Sequence, residues 1–327
     1  MLGTELVSQL DEDDGEVRCL TLSGIDTTPL DPYDVDVYFG DVTDESTLDA
    51  VFNGHVETVF HCAGIIHPPD LLGADTFYEV NSQGTRNMLE AARKHGADHF
   101  VFVSSNAAQG FNESRDQLMT EGMPCQPEST YGRSKYLAEQ HVRGYHREYS
   151  IDFTIVRPCW YYGPRQPDRM NRLMTMIAEG NPLMFGSGEN LRSMTYVPKL
   201  AEAMRLIRDK AGTAKGETYW IADKDPYTTN YIYRTIADLL GATADYEPHR
   251  IPGVASQLLE IADKAFARLG VYEQNVHVGG EMRRDIACDV SKAEEQLGYE
   301  PPTDLEPGMR EGIEWVREHG GLEVRPE

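Results

Sequence analysis

The chain has 327 residues, 54 acids against 30 bases and a net charge of −24, a field that repels nucleic acid and anionic membrane surfaces. Hydrophobic residues make up 40%, with no apolar run near 20 residues and no basic segment followed by an apolar one. This predicts a cytoplasmic protein without a secretory leader or membrane span. Five cysteines without a C-x-x-C pair, and ten histidines without an HExxH, predict reduced thiols and no metal site.

Residues 1–7 read as the opening of an amphipathic helix with no strand before it. Short apolar runs then predict strands over 16–22, 35–39, 58–62, 100–103, 152–157 and 218–222. Between and after them, helical periodicity covers 45–52, 76–95, 170–179, 199–210, 230–240, 255–269, 290–297 and 308–319. Asp44 suits the N-cap of the segment at 45, and His61, at the end of a strand, reads as a packing residue. Strands alternating with helices indicate an α/β fold built on a parallel sheet. The polar stretch 106–130 is too long for a tight turn and is expected at the mouth of a substrate site, as is the loop 65–74.

The chemistry concentrates in two segments. FVFVSSNAAQG is a strand ending in Ser104 and Ser105. YGRSK starts a helix with Tyr131 and Lys135 four residues apart, on one face. A cation beside a phenol favours phenolate, which makes Tyr131 a usable acid or base at neutral pH. A serine hydroxyl at the strand end can hold the oxygen whose proton moves. That is a proton-transfer site for an alcohol/ketone pair.

In order and spacing, GDVTD (40–44), VFHCAG (59–64), VNSQGTRNMLEAA (80–92), VSSNAAQG, YGRSK, VRPCWYYGP (156–164), RSMTYV (192–197) and DVSKAEEQLGYEP (289–301) resemble the extended short-chain dehydrogenase/reductases, the NAD-dependent epimerase/dehydratases. The resemblance implies a Rossmann-type, doubly wound parallel sheet with a smaller C-terminal substrate lobe. The dinucleotide domain would span 1–163, with 192–226 returning to it, and the lobe would comprise 164–191 and 227–327. It implies Ser105, Tyr131 and Lys135 as the catalytic set, Lys135 also binding the nicotinamide ribose. Ser105 is preferred to Ser104 because it stands five residues before Gly110. Gly3, Asp41, Val42, Cys62, Ala63, Gly64 and Pro158 would contact the cofactor, and Trp160 and Arg192 the substrate. Asn81 would tie its helix to the serine strand.

Several departures bear on these expectations. Family members open with a strand and a Gly-x-x-Gly-x-x-Gly turn, of which only the third glycine, Gly3, has a counterpart; a coding start roughly a dozen residues upstream is the expectation. Thr21, Leu22 and Ser23 stand where an acid for the ribose or an arginine for a 2′-phosphate is usual, so NAD is expected with NADP not excluded; Asp26 is a substitute acid or a loop residue. Asn106-Ala107 replaces the Asp-Glu pair of members that dehydrate sugars, which disfavours elimination. The segments around 163–180 and 192–197 resemble nucleotide-sugar epimerases, whereas Trp160 and VGGEMRRDIACDVSKA resemble the 3β-hydroxysteroid and dihydroflavonol type. Arg192 or Arg284 would pair a diphosphate. A hydride-moving enzyme on a nucleotide sugar is therefore expected, with an apolar alcohol or a non-catalytic dinucleotide-binding regulator as alternatives. A homodimer is implied by the family, and a salt-rich source by the dispersed acids.

Overall fold

Two faces of one sheet dictate the pattern of its central strand. In the computed structural model, which describes residues 1–13, 15–67, 73–166, 168–180, 182–242 and 246–319, six strands of four or more residues pair in parallel. They are β1 (Val17–Thr21), β2 (Val35–Phe39), β3 (Thr58–His61), β4 (His99–Val103), β5 (Asp152–Pro158) and β6 (Thr218–Ile221). Every residue of β4 is buried. Phe100 and Phe102 pack on one side with Leu89, Ala92, Ala138 and Val142, while Val101 and Val103 pack on the other with Leu6, Leu200, Met204 and Leu297. A strand covered on both faces has no polar side to show, hence its unbroken apolar run.

Among the described residues the sheet has two pieces. β3, β4, β5 and β6 pair in that order, and β1 pairs with β2, Thr21 opposite Phe39. The pieces lie near enough that the Cys19 thiol contributes to raising that of Cys62, after burial. The helices are α1 (Leu2–Leu10), α2 (Gly84–His95), α3 (Thr130–Tyr149), α4 (Asp168–Ala178), α5 (Val197–Asp209), α6 (Thr229–Leu240), α7 (Gly253–Arg268), α8 (Gln274–Glu281), α9 (Ser291–Leu297) and α10 (Glu306–Glu318), with shorter turns between. α2 and α3 cover one face of the sheet; α1, α5 and α9 cover the other. This is the doubly wound arrangement expected.

The helix expected over 76–95 forms as one unbroken helical run, with a change of pitch inside it. A short α-turn (Asp75–Phe77) is followed by a π-helical run, Tyr78–Gln83, before α2 begins. Thr85 Oγ1 donates to the Asn81 carbonyl at 2.7 Å, and Asn81 is occupied elsewhere. Its amide bridges the Ile65 backbone (2.7 and 2.9 Å) and donates to Ser134 Oγ at 3.0 Å. Asn81 thus ties its helix to the β3 exit loop and to α3, rather than to the serine strand. The segment 45–52 forms two 3₁₀ turns, the first capped by Asp44, which accepts from Ser46 N at 3.1 Å. His61 is buried among Phe100 and Phe102, bonded to Thr85 at 3.0 Å.

Beyond β5 a second core forms from α4, α6 and α10, with Met170, Met174, Ile232, Ile236, Met309 and Ile313. α9 falls in the 227–327 stretch, yet Ala293 and Leu297 join the sheet core. Asp223, at the end of β6, lies where the cores meet. One of its carboxylate oxygens accepts from Tyr162 OH (2.7 Å) and Tyr227 OH (3.0 Å). Burial pushes its carboxyl up to about 7.

Candidate active site

β4 delivers both serines to the carboxyl edge of the sheet, and hydrogen bonding divides their roles. Ser104 Oγ donates to Glu139 at 2.6 Å, within a buried ion pair whose other partner is Arg157, also at 2.6 Å. Ser105 caps the short helix Asn106–Gln109, accepting from Ala107 N at 3.2 Å, and its hydroxyl borders a cavity of about 620 Å³.

α3 begins beside it, capped by Ser129, which accepts from Gly132 N at 3.0 Å. Gly132 presses against the Ser105 turn; a Cβ there would lie 2.3 Å from the Ala107 carbonyl oxygen. Only glycine permits that approach, which sets Tyr131 and Ser105 on the same cavity wall. One turn later Lys135 runs beneath the wall. Its Nζ donates to the Val103 carbonyl at 2.7 Å and sits 4.4 Å over the Phe102 ring. Burial pulls the ammonium down to about 8, opposed by the Glu139 carboxylate. It is still mostly charged at pH 7.

Around the same cavity stand Gly64, Pro158, Trp160 and Arg192, with Asn106 and Ala107 from the polar stretch and Ile65, Ile66 and His67 from the loop after β3. Residues 68–72 of that loop, and Pro167 of the GPRQPDR segment, lie outside the described residues. Arg192 is buried and donates to the Glu281 carbonyl at 2.6 Å. Arg284 is turned away, paired with Glu128 and packed over Phe111.

The other residues expected at the cofactor stand off this cavity. Asp41 accepts from Thr43 N at 2.8 Å, and the Val42 carbonyl accepts from Asn87 at 2.8 Å, so both hold the turn after β2. Asp26 likewise closes its own turn on Thr28. Burial raises the Cys62 thiol to about 12, and Ala63 is exposed. Gly3 lies in the first turn of α1 with open space where a Cβ would project.

Residues at 64, 131 and 135 fit the ribose end of a dinucleotide. A Cβ on Gly64 would come within 3.1 Å of Asn81 Oδ1 and 3.7 Å of Lys135 Nζ, so a bare backbone edge, an ammonium and a phenol converge.

Sequence reasoning missed the far wall. α8 contributes Gln274, His277, Val278 and Glu281, followed by Met282, and α4 contributes Arg172. His277 Nδ1 lies 3.0 Å from Asp263 of α7. Nothing in the local periodicity of VGGEM marks α8 as a cavity wall, because its position depends on packing against α7.

The NAD dependent epimerase/dehydratase family matches residues 1–222. Uncharacterized protein y4nL of Sinorhizobium fredii is 36% identical over 310 residues, 93% of this chain and 86% of the relative. The N-acetyl-alpha-D-glucosaminyl-diphospho-ditrans,octacis-undecaprenol 4-epimerase of Escherichia coli O157:H7 is 32% identical over 203 residues, 62% of this chain and 60% of the relative. Among solved structures, the dTDP-glucose 4,6-dehydratase DesIV of Streptomyces venezuelae, with NAD bound, is 27% identical with a TM-score of 0.78, covering 98% of this chain and 95% of that one.

Proposed function

Given that this chain belongs to the NAD dependent epimerase/dehydratase family, we propose that it moves a hydride at a secondary alcohol of a sugar carried on a diphosphate, as an NAD-dependent epimerase or dehydrogenase. The observation that carries this reading is the shared cavity wall of Ser105 and Tyr131, with Lys135 buried one helical turn below. Bound NAD would supply the hydride acceptor and donor. Tyr131 takes the proton from the substrate hydroxyl and gives it back. Ser105 holds the same oxygen, so the two reacting groups meet in one geometry. Lys135 keeps positive charge under the phenol and favours its ionised form. The lining arginines, Arg172 and Arg192, suit the diphosphate.

Asn106 and Ala107 offer no carboxyl pair beside Ser105, which disfavours dehydration of a sugar of the kind named for DesIV, dTDP-glucose. The reading on an apolar alcohol keeps one supporting observation, the Trp160 ring on the cavity wall. A cytoplasmic homodimer completes the reading by family likeness. The charge of −24 fits a salt-rich setting, where screening relieves self-repulsion; full stability and activity in dilute buffer would remove that part.

The test is Tyr131→Phe. Loss of a positioned acid–base group lowers turnover by about 10²–10⁴-fold, while NAD affinity measured by calorimetry stays close to the parent's. Undiminished turnover refutes the assignment. NAD binding without turnover on any sugar diphosphate or apolar alcohol would favour a regulator instead.

A further inference from the structure

The Arg157 and Glu139 side chains are 2% and 1% exposed. Apolar residues of similar volume could fill that space with no loss of stability, because desolvating two charges costs about what their attraction returns. What apolar residues could not do is hold polar groups at fixed angles. The Arg157 guanidinium donates to Glu139 through Nε (2.8 Å) and Nη2 (2.6 Å), to Gln109 Oε1 through Nη1 (2.6 Å) and to Cys125 Sγ through Nη2 (3.1 Å). The Glu139 oxygen that takes Nε also accepts from Ser104 Oγ at 2.6 Å.

Ser104 and Gln109 bracket the reacting serine. Ser104 precedes Ser105, and Gln109 ends the short helix, Asn106–Gln109, that Ser105 caps. Both bracketing side chains are buried. Gln109, Glu139 and Arg157 are not among the described residues that line the cavity. The elements that meet here carry the rest of the site. Glu139 lies on α3, one helical turn after Lys135 and two after Tyr131, along the same face. Arg157 lies on β5 immediately before Pro158 of the cavity wall. On β4, the Val103 carbonyl takes Lys135 Nζ, and the next residue, Ser104, turns to Glu139.

Resting on the reading of Ser105 and Tyr131 as the groups that share one substrate oxygen, we propose that Glu139 and Arg157 are positioning residues for the reaction. The ion pair clamps both ends of the Ser105 turn, Ser104 through the carboxylate and Gln109 through the guanidinium, and fixes that turn to the helix of Tyr131. The Ser105 hydroxyl and the phenol are thereby held in one geometry, and neither member of the pair touches the substrate. An arginine is needed because its planar fork reaches Glu139, Gln109 and Cys125 at once, which the point charge of a lysine does not. Displacing a reacting group by about 1 Å costs about 100-fold in rate. An apolar replacement that leaves the fold intact therefore still lowers turnover.

The experiment uses the full chain with NAD and compares the parent with Arg157→Met/Glu139→Leu, Arg157→Lys, Gln109→Met and Gln109→Glu. It measures kcat and KM on a uridine diphosphate sugar and on an apolar secondary alcohol, urea midpoints, and hydrogen exchange at the Ala108 and Gly110 amides. Those amides close the turn by donating to the Ser105 and Asn106 carbonyls, each at 3.1 Å. The double variant is expected to keep a midpoint near the parent's while kcat falls about 10–100-fold, KM moves by less than about threefold, and both amides exchange about tenfold faster. Arg157→Lys keeps the charge and should lose kcat as well. Gln109→Met should lower kcat about tenfold, and Gln109→Glu, which keeps an acceptor for Arg157, should restore most of it. A double variant with parental stability and parental kcat overturns the proposal, as does a kcat loss no larger than its unfolded fraction. If the double variant does not fold, the Gln109 pair decides: equal kcat in Gln109→Met and the parent overturns the clamp. If the parent turns over neither substrate, the reading of the site fails separately, and exchange alone then decides. Faster exchange in the variants upholds the clamp, and unchanged exchange overturns it.

Discussion

Asp223→Asn tests the junction between the two cores. The carboxyl is fully buried, one oxygen accepting from Tyr162 and Tyr227 and the other without a partner among the described residues. Moving a carboxyl from 3.8 to about 7 by burial corresponds to about 4 kcal/mol between its two protonation states. The sign follows from proton counting. Between pH 4 and 7 the folded chain holds a proton that the unfolded chain has released, so stability falls as pH rises through that window and levels off above it. Asparagine is neutral throughout and keeps an acceptor for both tyrosines. Its amide leaves a buried donor without a partner, as the protonated acid does, so the two forms should be nearly equal near pH 4. By pH 8 the variant should be more stable by about 2–4 kcal/mol. Urea unfolding at pH 4.5, 6 and 8, at one fixed high salt concentration, measures the difference. Parallel curves for parent and variant across that range would refute the reasoning.

Arg157→Met strands the buried Glu139 carboxylate and should cost about 3–5 kcal/mol, whereas Arg157→Met/Glu139→Leu recovers most of it; equal losses in chemical denaturation would count against a charge-burial cause. Gly132→Ala forces a Cβ to 2.3 Å from the Ala107 oxygen and should destabilise by about 1–3 kcal/mol. Turnover should fall beyond what unfolding explains, because the Ser105 turn must move; an unchanged kcat would show the turn to be uninvolved. Lys135→Met should lower turnover at least as severely as Tyr131→Phe. In the parent, stability rises between about pH 8 and 10.5, since the folded chain gives up its Lys135 proton before the unfolded one does. The variant should lack that rise, and a rise of equal size in both would place it elsewhere.

How the site became legible varied residue by residue. The serine strand and Tyr131 could be read because strand burial and one helical turn are local geometry, each set by a few consecutive residues. The preference for Ser105 over Ser104 came from the family resemblance, which implies a Ser or Thr five residues before Gly110; in the structure Ser104 is bound to the Glu139–Arg157 pair, joining positions 35 and 18 residues apart. Nothing in a linear pattern ranks two adjacent serines by what lies across the sheet. Asn81 was read as support, but its partners, Ile65 and Ser134, sit 16 and 53 residues away and only packing brings them to it.

By itself the sequence determined the parallel α/β architecture, because hydrophobic periodicity is written into consecutive residues and both faces of a central strand must be apolar. Tertiary structure alone decided what surrounds the reacting groups. α8 and Arg172 reach the cavity by docking against distant elements, while Asp41 holds its own turn and the Val42 carbonyl is tied to Asn87 of α2. A cavity wall is a relation between surfaces far apart in the chain, and short-range residue preferences carry no record of which surfaces will meet.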